Sequence, residues 1–416
     1  MKKNQLKDTL FLLLFFLFPG FIQVLRIFDS YAGGLFIILV IIFTYYFYIF
    51  KFRISKAVFN VMLFGIFLFV LQYINHFFFI KNNYLKTLSI SLSLPIIYYV
   101  CEKFYYGILN KKNFSKIIEI TCYIVIFLIF VGMLYYDRSV TTGFNNSSSY
   151  YRLFFFNEPS HVTVICGPLF VICVFIKKIK SSIALRLCVI SLIIFLLGTA
   201  TGLIFLILLI FTTYKLPKFI FISMYLSAFL YSINLLGITL IDYYLNLFID
   251  RIYSFIESFG RENYRGLNLS TIIFIQGYEF IWDTIVRLDF LGIGSGNGFY
   301  HIIDYPAFNA NVWLHGQYRL NTTDPGFMLS KIILEYGLIF GFIYLIVIYK
   351  LSRYFFIIRN KIVNLDYNLI DIIYIGTFLT TIINTFFRGG GYLHYGMFYL
   401  FLSIIIYINR HERKKE

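Results

Sequence analysis

The amino-acid sequence predicts an all-α polytopic membrane protein with about twelve transmembrane helices. Of its 416 residues, 60% are hydrophobic and only 13% are charged, whereas about a quarter of the residues in soluble domains are charged. The mean hydropathy is +0.79, and apolar runs long enough to cross roughly 30 Å of hydrocarbon recur along the whole chain. These observations exclude a soluble globular protein and predict a single integral-membrane domain over residues 1–416.

Short polar turns separate the predicted spans. In chain order the apolar runs are about Leu10–Arg26, Leu35–Phe50, Ala57–Ile80, Leu88–Cys101, Ile117–Tyr136, Ser160–Ile176, Ile183–Tyr214, Phe219–Ile241, Phe327–Leu351, Leu369–Phe386 and Tyr395–Asn409. The run Ile183–Tyr214 would form a single helix of about 48 Å. A break at its Thr/Gly cluster, 198–202, divides it into two spans.

The distribution of basic residues predicts the orientation of these spans. Placing both termini in the cytoplasm puts about 24 of the 36 Lys and Arg residues on cytoplasmic segments, where such residues normally collect. The two largest polar loops, 137–159 and about 242–326, then face the outside, together with the Thr/Gly break and the linker Arg388–His394. This sorting explains the net charge of +16, so we expect no nucleic-acid partner.

The large loop contains two further features. Thr271–Trp282 is apolar enough to lie as a helix along the membrane face. The glycine string Gly292–Gly298 has no preceding strand, so we do not interpret it as a phosphate loop. We expect it to permit a tight turn or a close approach to a ligand.

The cysteines predict neither a disulfide framework nor a metal site. All five lie in or beside apolar runs, and their spacings are not those of paired metal ligands. We therefore interpret them as helix-packing residues.

Arginine is the most informative residue of the predicted external loops. A guanidinium group binds phosphate through paired hydrogen bonds, which suggests a phosphate-bearing ligand at the membrane surface. The alternative is loop charge that contacts solvent or lipid headgroups. The candidate substrate-binding residues are Arg152, Arg261, Arg265, Arg287, Arg319, Arg388 and His161.

The candidate catalytic residues are Glu158, His315 and Asp324. Glu158 precedes a proline at the mouth of the sixth span, where it would act as a base toward a sugar hydroxyl, bind sugar hydroxyls, or simply begin the helix. His315 is a candidate base because an unperturbed imidazole titrates near neutral pH, and the alternative is an ordinary surface histidine. Asp324 is either a base or a helix cap. Glu335, in the tenth span, is expected near the interface or buried and paired.

The order of these features resembles the O-antigen polymerase and ligase superfamily. The motifs are RLFFFNEPSH before a span, a span broken at a Thr/Gly turn, a long external loop with the glycine string, and a span reading LEYGLIFG. They cover about residues 138–345, and the topology extends the likeness to the rest of the chain. The resemblance implies a GT-C-like, metal-independent membrane glycosyltransferase that acts on undecaprenyl-diphosphate-linked glycans outside the bacterial cytoplasmic membrane. It further implies that arginines hold the diphosphate leaving group while a loop base activates the acceptor hydroxyl.

Within this superfamily the polymerase is the leading interpretation. Ligases typically carry an arginine at the broken-span turn, where this chain has Gly-Thr-Ala-Thr-Gly, and a histidine pair where this chain has Thr-Thr-Asp-Pro-Gly. A polymerase would assemble O-antigen, capsule or exopolysaccharide, with a chain-length regulator and a flippase as expected partners beside the lipid bilayer. The alternatives are the O-antigen ligase and a lipid-linked oligosaccharide flippase, which should place ionisable residues deep in its spans.

Overall fold

The computed structural model describes residues 9, 12–13, 15, 31–49, 53–78, 84–109, 114–134, 159–176, 182–197, 199–220, 269–294, 326–388 and 395–412. All regular structure in these residues is helical. The helices are α1 (Tyr31–Ile49), α2 (Lys56–Phe78), α3 (Tyr84–Phe104), α4 (Phe114–Leu134), α5 (Pro159–Phe175), α6 (Ile183–Leu197), α7 (Ala200–Thr213), α8 (Leu269–Val286), α9 (Met328–Val363), α10 (Leu369–Phe386) and α11 (Tyr395–Glu412).

Long apolar helices dominate the architecture. In the described part of the chain, four helices are long and apolar enough to cross a membrane: α2, α4, α9 and α10. Shorter apolar helices include parts of α5, α6, α7 and α11. The predicted class, a helical membrane protein, is therefore confirmed, whereas the number of twelve spans and the sidedness of the loops stay predictions.

The helix boundaries follow the apolar runs closely. The helix predicted at Leu369–Phe386 is α10, with the same limits. The break predicted at 198–202 is confirmed, because α6 ends at Leu197 and α7 begins at Ala200. Most of the runs Leu10–Arg26 and Phe219–Ile241 lies outside the described residues.

Helix α10 lies at the centre of the bundle and packs against α5, α9 and α11. Small residues let the backbones approach closely, as is usual between membrane helices. A Cβ atom built on Gly376 would lie 2.7 Å from the Cα of Pro168 in α5. The Tyr374 hydroxyl donates a hydrogen bond to the Leu351 carbonyl of α9, at 2.7 Å. These contacts fix the register of α10 against two neighbours.

Helix α9 differs from its prediction in length and in shape. The sequence predicts a span over Phe327–Leu351, but the helix has 36 residues and ends at Val363. It is also interrupted at Gly337, where φ is 85° and ψ is 179°. Only glycine adopts this conformation readily, so α9 consists of two helical halves that meet at Gly337.

The turn after α8, Asp289–Gly294, fills the break in α9. The backbone N–H groups of Ile293 and Gly294 donate to the carbonyls of Leu334 and Glu335, at 2.9 and 3.1 Å. From the second half of α9, Leu338 donates to the Asp289 carbonyl at 3.1 Å. The turn thus satisfies backbone groups that the interruption leaves without helical partners.

Candidate functional site

One end of the bundle gathers the helix ends that carry most of the described candidate residues. Helices α5 and α10 run antiparallel. A Cβ on Gly167 would lie 2.7 Å from the Oγ1 of Thr380, whereas the hydroxyl of Tyr367, just before α10, donates to the carbonyl of Phe175 at the end of α5, at 3.0 Å. This register places the first turn of α5, with His161, level with the last turn of α10. The linker that begins with Arg388 follows that turn directly.

The Thr/Gly break lies at the same end of the bundle. The side chain of Thr199 caps α7 by accepting a hydrogen bond from the Gly202 backbone N–H, at 3.0 Å. A Cβ on Gly202 would lie 3.5 Å from the Oγ1 of Thr163, in the first turns of α5. The start of α7 therefore touches the start of α5, and the side of the membrane that these helix ends face stays a prediction.

A stripe of small polar side chains runs along α10 toward this end. Each of its members is at most 1% exposed, and most of the hydroxyls donate to backbone carbonyls of their own helix. The stripe consists of Thr377, Thr380, Thr381, Asn384 and Thr385. It gives the interior of the bundle a polar lining where an apolar packing surface would be expected.

The buried polar atoms at this end include the Oγ1 of Thr163 and the Oδ1 of Asn384. Neither has a hydrogen-bond partner among the residues that the structure describes. The antiparallel register, which pairs 167 with 380, places Thr163 level with Asn384. Buried polar groups are usually paired, so such atoms mark a place where a ligand or a water can supply a hydrogen bond.

An aromatic layer borders this end of the bundle beside Arg388. The ring of Phe274, near the start of α8, stacks on Phe387 at 6.1 Å between centroids. Tyr278 contacts Phe327 at 4.9 Å, and its hydroxyl donates to the Phe386 carbonyl at 3.4 Å. These rings pack around Phe387, the residue that precedes the half-buried Arg388.

Arg287 does not belong to this group. It follows the last turn of α8, about 20 Å along the helix from Phe274. Its Nε donates to the Oδ1 of Asp283 at 2.9 Å, so its charge is already compensated within α8. The structure thus brings His161 and Arg388 to one end of the bundle and separates Arg287 from them.

The remaining candidate residues lie outside the described residues, and their roles stay predictions. They are Arg152, Glu158, Arg261, Arg265, His315, Arg319 and Asp324. The described residues contain no group of three or more His, Cys, Asp and Glu side chains that could hold a metal ion. Comparison of the chain with protein-family models, with curated proteins and with solved structures finds no match. The interpretation of the site therefore rests on its geometry and on the sequence.

The first half of α9 contains ionisable residues that the sequence analysis partly missed. Lys331 is 6% exposed and Glu335 is 1% exposed, four residues apart on one helix face. The Glu335 carbonyl accepts a hydrogen bond from the side-chain amide of Gln72 in α2, at 2.8 Å. Burial of Glu335 was one of the two predicted alternatives. In the sequence, Lys331 stands out only by lying four residues before Glu335. The apolar residues around both make this spacing easy to overlook.

The polar end of the bundle has a defined chemical capacity. A guanidinium group and an imidazole lie at the helix ends there, and hydroxyl and amide side chains are buried between the helices behind them. Guanidinium binds phosphate oxygens, whereas hydroxyl and amide groups exchange hydrogen bonds with the hydroxyls of a sugar. The arrangement suits a ligand that is both polyhydroxylated and anionic.

Proposed function

We propose that this protein is an integral-membrane glycosyltransferase that polymerises undecaprenyl-diphosphate-linked repeat units into a bacterial surface polysaccharide. In this proposal the chain crosses the cytoplasmic membrane about twelve times, with both termini in the cytoplasm, and the site faces outward. The reaction transfers the growing glycan from its lipid diphosphate carrier to a hydroxyl of a new lipid-linked unit. No metal or nucleotide sugar takes part.

The observation that carries the proposal is the convergence of His161, Arg388 and the polar α10 stripe at one end of the bundle. That end also holds the Thr/Gly break, which belongs to the pattern shared with the polymerase and ligase superfamily. In the proposed reaction Arg388 stabilises the charge that develops on the diphosphate leaving group. Imidazole is a suitable general base near neutral pH. His161, which the structure describes, is therefore an alternative to the candidate bases Glu158, His315 and Asp324.

Reconstitution of the purified protein with a lipid-linked repeat unit as the only substrate tests this function directly. We expect a ladder of lengthening glycans, each longer by one repeat unit, without added metal or nucleotide sugar. The measurement is gel separation of the labelled products over time. A single product of unchanged length would contradict the polymerase proposal.

The polar atoms without partners provide a second prediction. Thr163→Val should leave the unfolding temperature unchanged or higher, because it removes a buried hydroxyl that lacks a hydrogen bond. If that hydroxyl serves the glycan, polymer formation should fall about tenfold, the loss expected for one hydrogen bond. Both quantities are measured on the same purified variant.

Thr121→Val in α4, outside the candidate site, is the matched control for this prediction. Its buried hydroxyl already donates to the Ile117 carbonyl at 3.0 Å, so the change should lower stability by up to about 1 kcal/mol and leave polymer formation unchanged. Polymer formation at the wild-type rate in Thr163→Val would show that this hydroxyl does not contact the glycan.

A flippase for lipid-linked oligosaccharides is the second candidate function. Buried Lys331 and Glu335 favour it, because transporters place ionisable residues within their spans. Reconstitution of the protein into vesicles with the lipid-linked unit distinguishes the two functions. Accelerated crossing of the lipid-linked unit without a product ladder supports the flippase, and a ladder supports the polymerase.

A further inference from the structure

We propose that α8 and the turn after it, Leu269–Gly294, form a re-entrant membrane segment whose outward face contacts lipid acyl chains. The segment would enter the bilayer from the end of the bundle that holds the aromatic layer and reach the break in α9. This proposal changes the expectation that α8 lies along the membrane face. It does not depend on the proposed function, since it concerns only how the segment meets the bilayer.

The exposure pattern of α8 is the reverse of the pattern of a helix in contact with water. Its second half and the following turn expose Trp282, Val286 and Phe290, by 61%, 60% and 53%. The polar residues Gln276 and Asp283 are instead buried, at 0% and 6%. A contiguous apolar surface of this kind is rare on proteins surrounded by water, whereas polar residues that turn toward the protein interior are the rule in lipid.

The break in α9 lies at a depth where the neighbouring helix still faces lipid. Helix α2 runs beside α9, with Phe67 at 6.3 Å from Phe340 between ring centroids and with Gln72 bonded to the Glu335 carbonyl. Exposed apolar residues on α2 continue past Gln72 to Ile74, which is 47% exposed. The hydrocarbon layer that covers α2 therefore extends beyond the level of the break.

Helix α8 runs parallel to the first half of α9 and so leads to that depth. At the outer end, a Cβ on Gly326 would lie 2.7 Å from the Ile273 carbonyl oxygen, near the start of α8. At the inner end, Leu338 donates to the Asp289 carbonyl. The chain is thus back beside the start of α8 at Gly326, which is the connectivity of a segment that enters and leaves on one side.

The inner tip also satisfies the rule for irregular backbone inside a bilayer. Non-helical backbone is tolerated there only where protein groups satisfy its hydrogen bonds. Ile293 and Gly294 donate to α9, and the Asp289 carboxylate accepts from the Gly292 N–H at 2.9 Å. A Cβ on Gly292 would lie 2.5 Å from the Gly337 nitrogen, so the tip sits directly against the α9 backbone.

Two of the four charged side chains of the segment form an ion pair. Asp283 and Arg287 form an ion pair one helical turn apart, with 2.9 Å between Oδ1 and Nε. Pairing lowers the free-energy cost of an ionised side chain near hydrocarbon. Just after the break, α9 also exposes apolar side chains, with Phe342 at 66% and Ile343 at 50%.

Tryptophan fluorescence tests this proposal without changing α8. The chain has two tryptophans, so W313F leaves Trp282 as the single reporter. In phosphatidylcholine vesicles we expect blue-shifted emission and, with acyl chains brominated at mid-chain, about a twofold loss of intensity, because the indole lies among those chains. Quenching by aqueous iodide and not by brominated chains would overturn the proposal.

Cysteine labelling provides an independent measurement. Phe290→Cys and Leu216→Cys replace apolar residues of similar exposure. One lies at the proposed tip and the other in the helical residues 216–220 that follow α7. With a charged maleimide on both faces of the vesicles, Phe290→Cys should react at least about tenfold more slowly, since hydrocarbon disfavours the reactive thiolate. Equal labelling rates would place the turn in water and refute the re-entrant segment.

Discussion

Gly337→Ala is expected to remove most of the folded protein from membranes. Alanine is strained at φ 85° and ψ 179°, by about 1–3 kcal/mol. Its Cβ would also lie 2.2 Å from the Phe290 carbonyl oxygen, which belongs to backbone and cannot rotate away. Displacing the Asp289–Gly294 turn would break three backbone hydrogen bonds, each worth about 1 kcal/mol. The sum is about 4 kcal/mol or more, a large part of the stability of a typical domain.

The measured quantities are the yield of purified protein and its unfolding temperature. The unfolding temperature is read from the loss of the folded peak in size-exclusion chromatography after heating. Gly107→Ala is the matched control, because a Cβ at Gly107 meets no atom within 4 Å. That variant should stay within about 0.5–1 kcal/mol of the wild type. An unfolding temperature for Gly337→Ala equal to that of Gly107→Ala would show that the break in α9 is not a fixed feature of the fold.

The sequence was sufficient to place helices whose limits are encoded locally. Helix α10 begins at Asn368, whose side chain and that of Asp371 form a reciprocal capping box, and its apolar run stops before Arg388. Both signals lie within a few residues of the helix ends. The break between α6 and α7 was predictable for a similar reason, since the length of the apolar run exceeded the thickness of a bilayer.

The break in α9 could not be predicted in this way. Glycine is common in membrane helices, so Gly337 is unremarkable within KIILEYGLIFGF. Its conformation depends on Asp289–Gly294, a turn more than forty residues earlier in the chain. The glycine string was expected to permit a tight turn, and Gly292 and Gly294 do have positive φ. The partner of that turn, an interrupted helix, follows from tertiary packing alone.

The candidate site shows the same division between local and tertiary information. Position next to an apolar run was enough to place His161 and Arg388 at helix ends. The polar stripe of α10 was missed, because threonines scattered in a membrane span resemble ordinary packing residues. Which helix ends meet depends on the antiparallel register of α5 and α10, which only the three-dimensional arrangement reveals.

Alanine at either of two residues chosen from sequence should abolish polymer formation. Arg265→Ala would remove a proposed diphosphate ligand that is flanked by Tyr264 and Gly266, and Glu158→Ala would remove the proposed base. Both variants should still insert, because neither change affects an apolar run. The readout is the product ladder from variants present in membranes at wild-type amounts, and normal ladders from both would refute this part of the site.

Arg388→Ala should slow polymer formation by about a hundred- to a thousandfold, the loss expected when a group that stabilises developing charge is removed. Arg388→Lys keeps the charge but not the planar fork, so we expect about a tenfold loss. Arg353→Ala is the control, because this exposed arginine lies in the second half of α9, toward the opposite end of the bundle from the site. Initial rates of ladder formation in vesicles measure all three. If Arg388→Ala matched Arg353→Ala, the diphosphate would not bind at the end of α10, and the loop arginines alone would have to hold it.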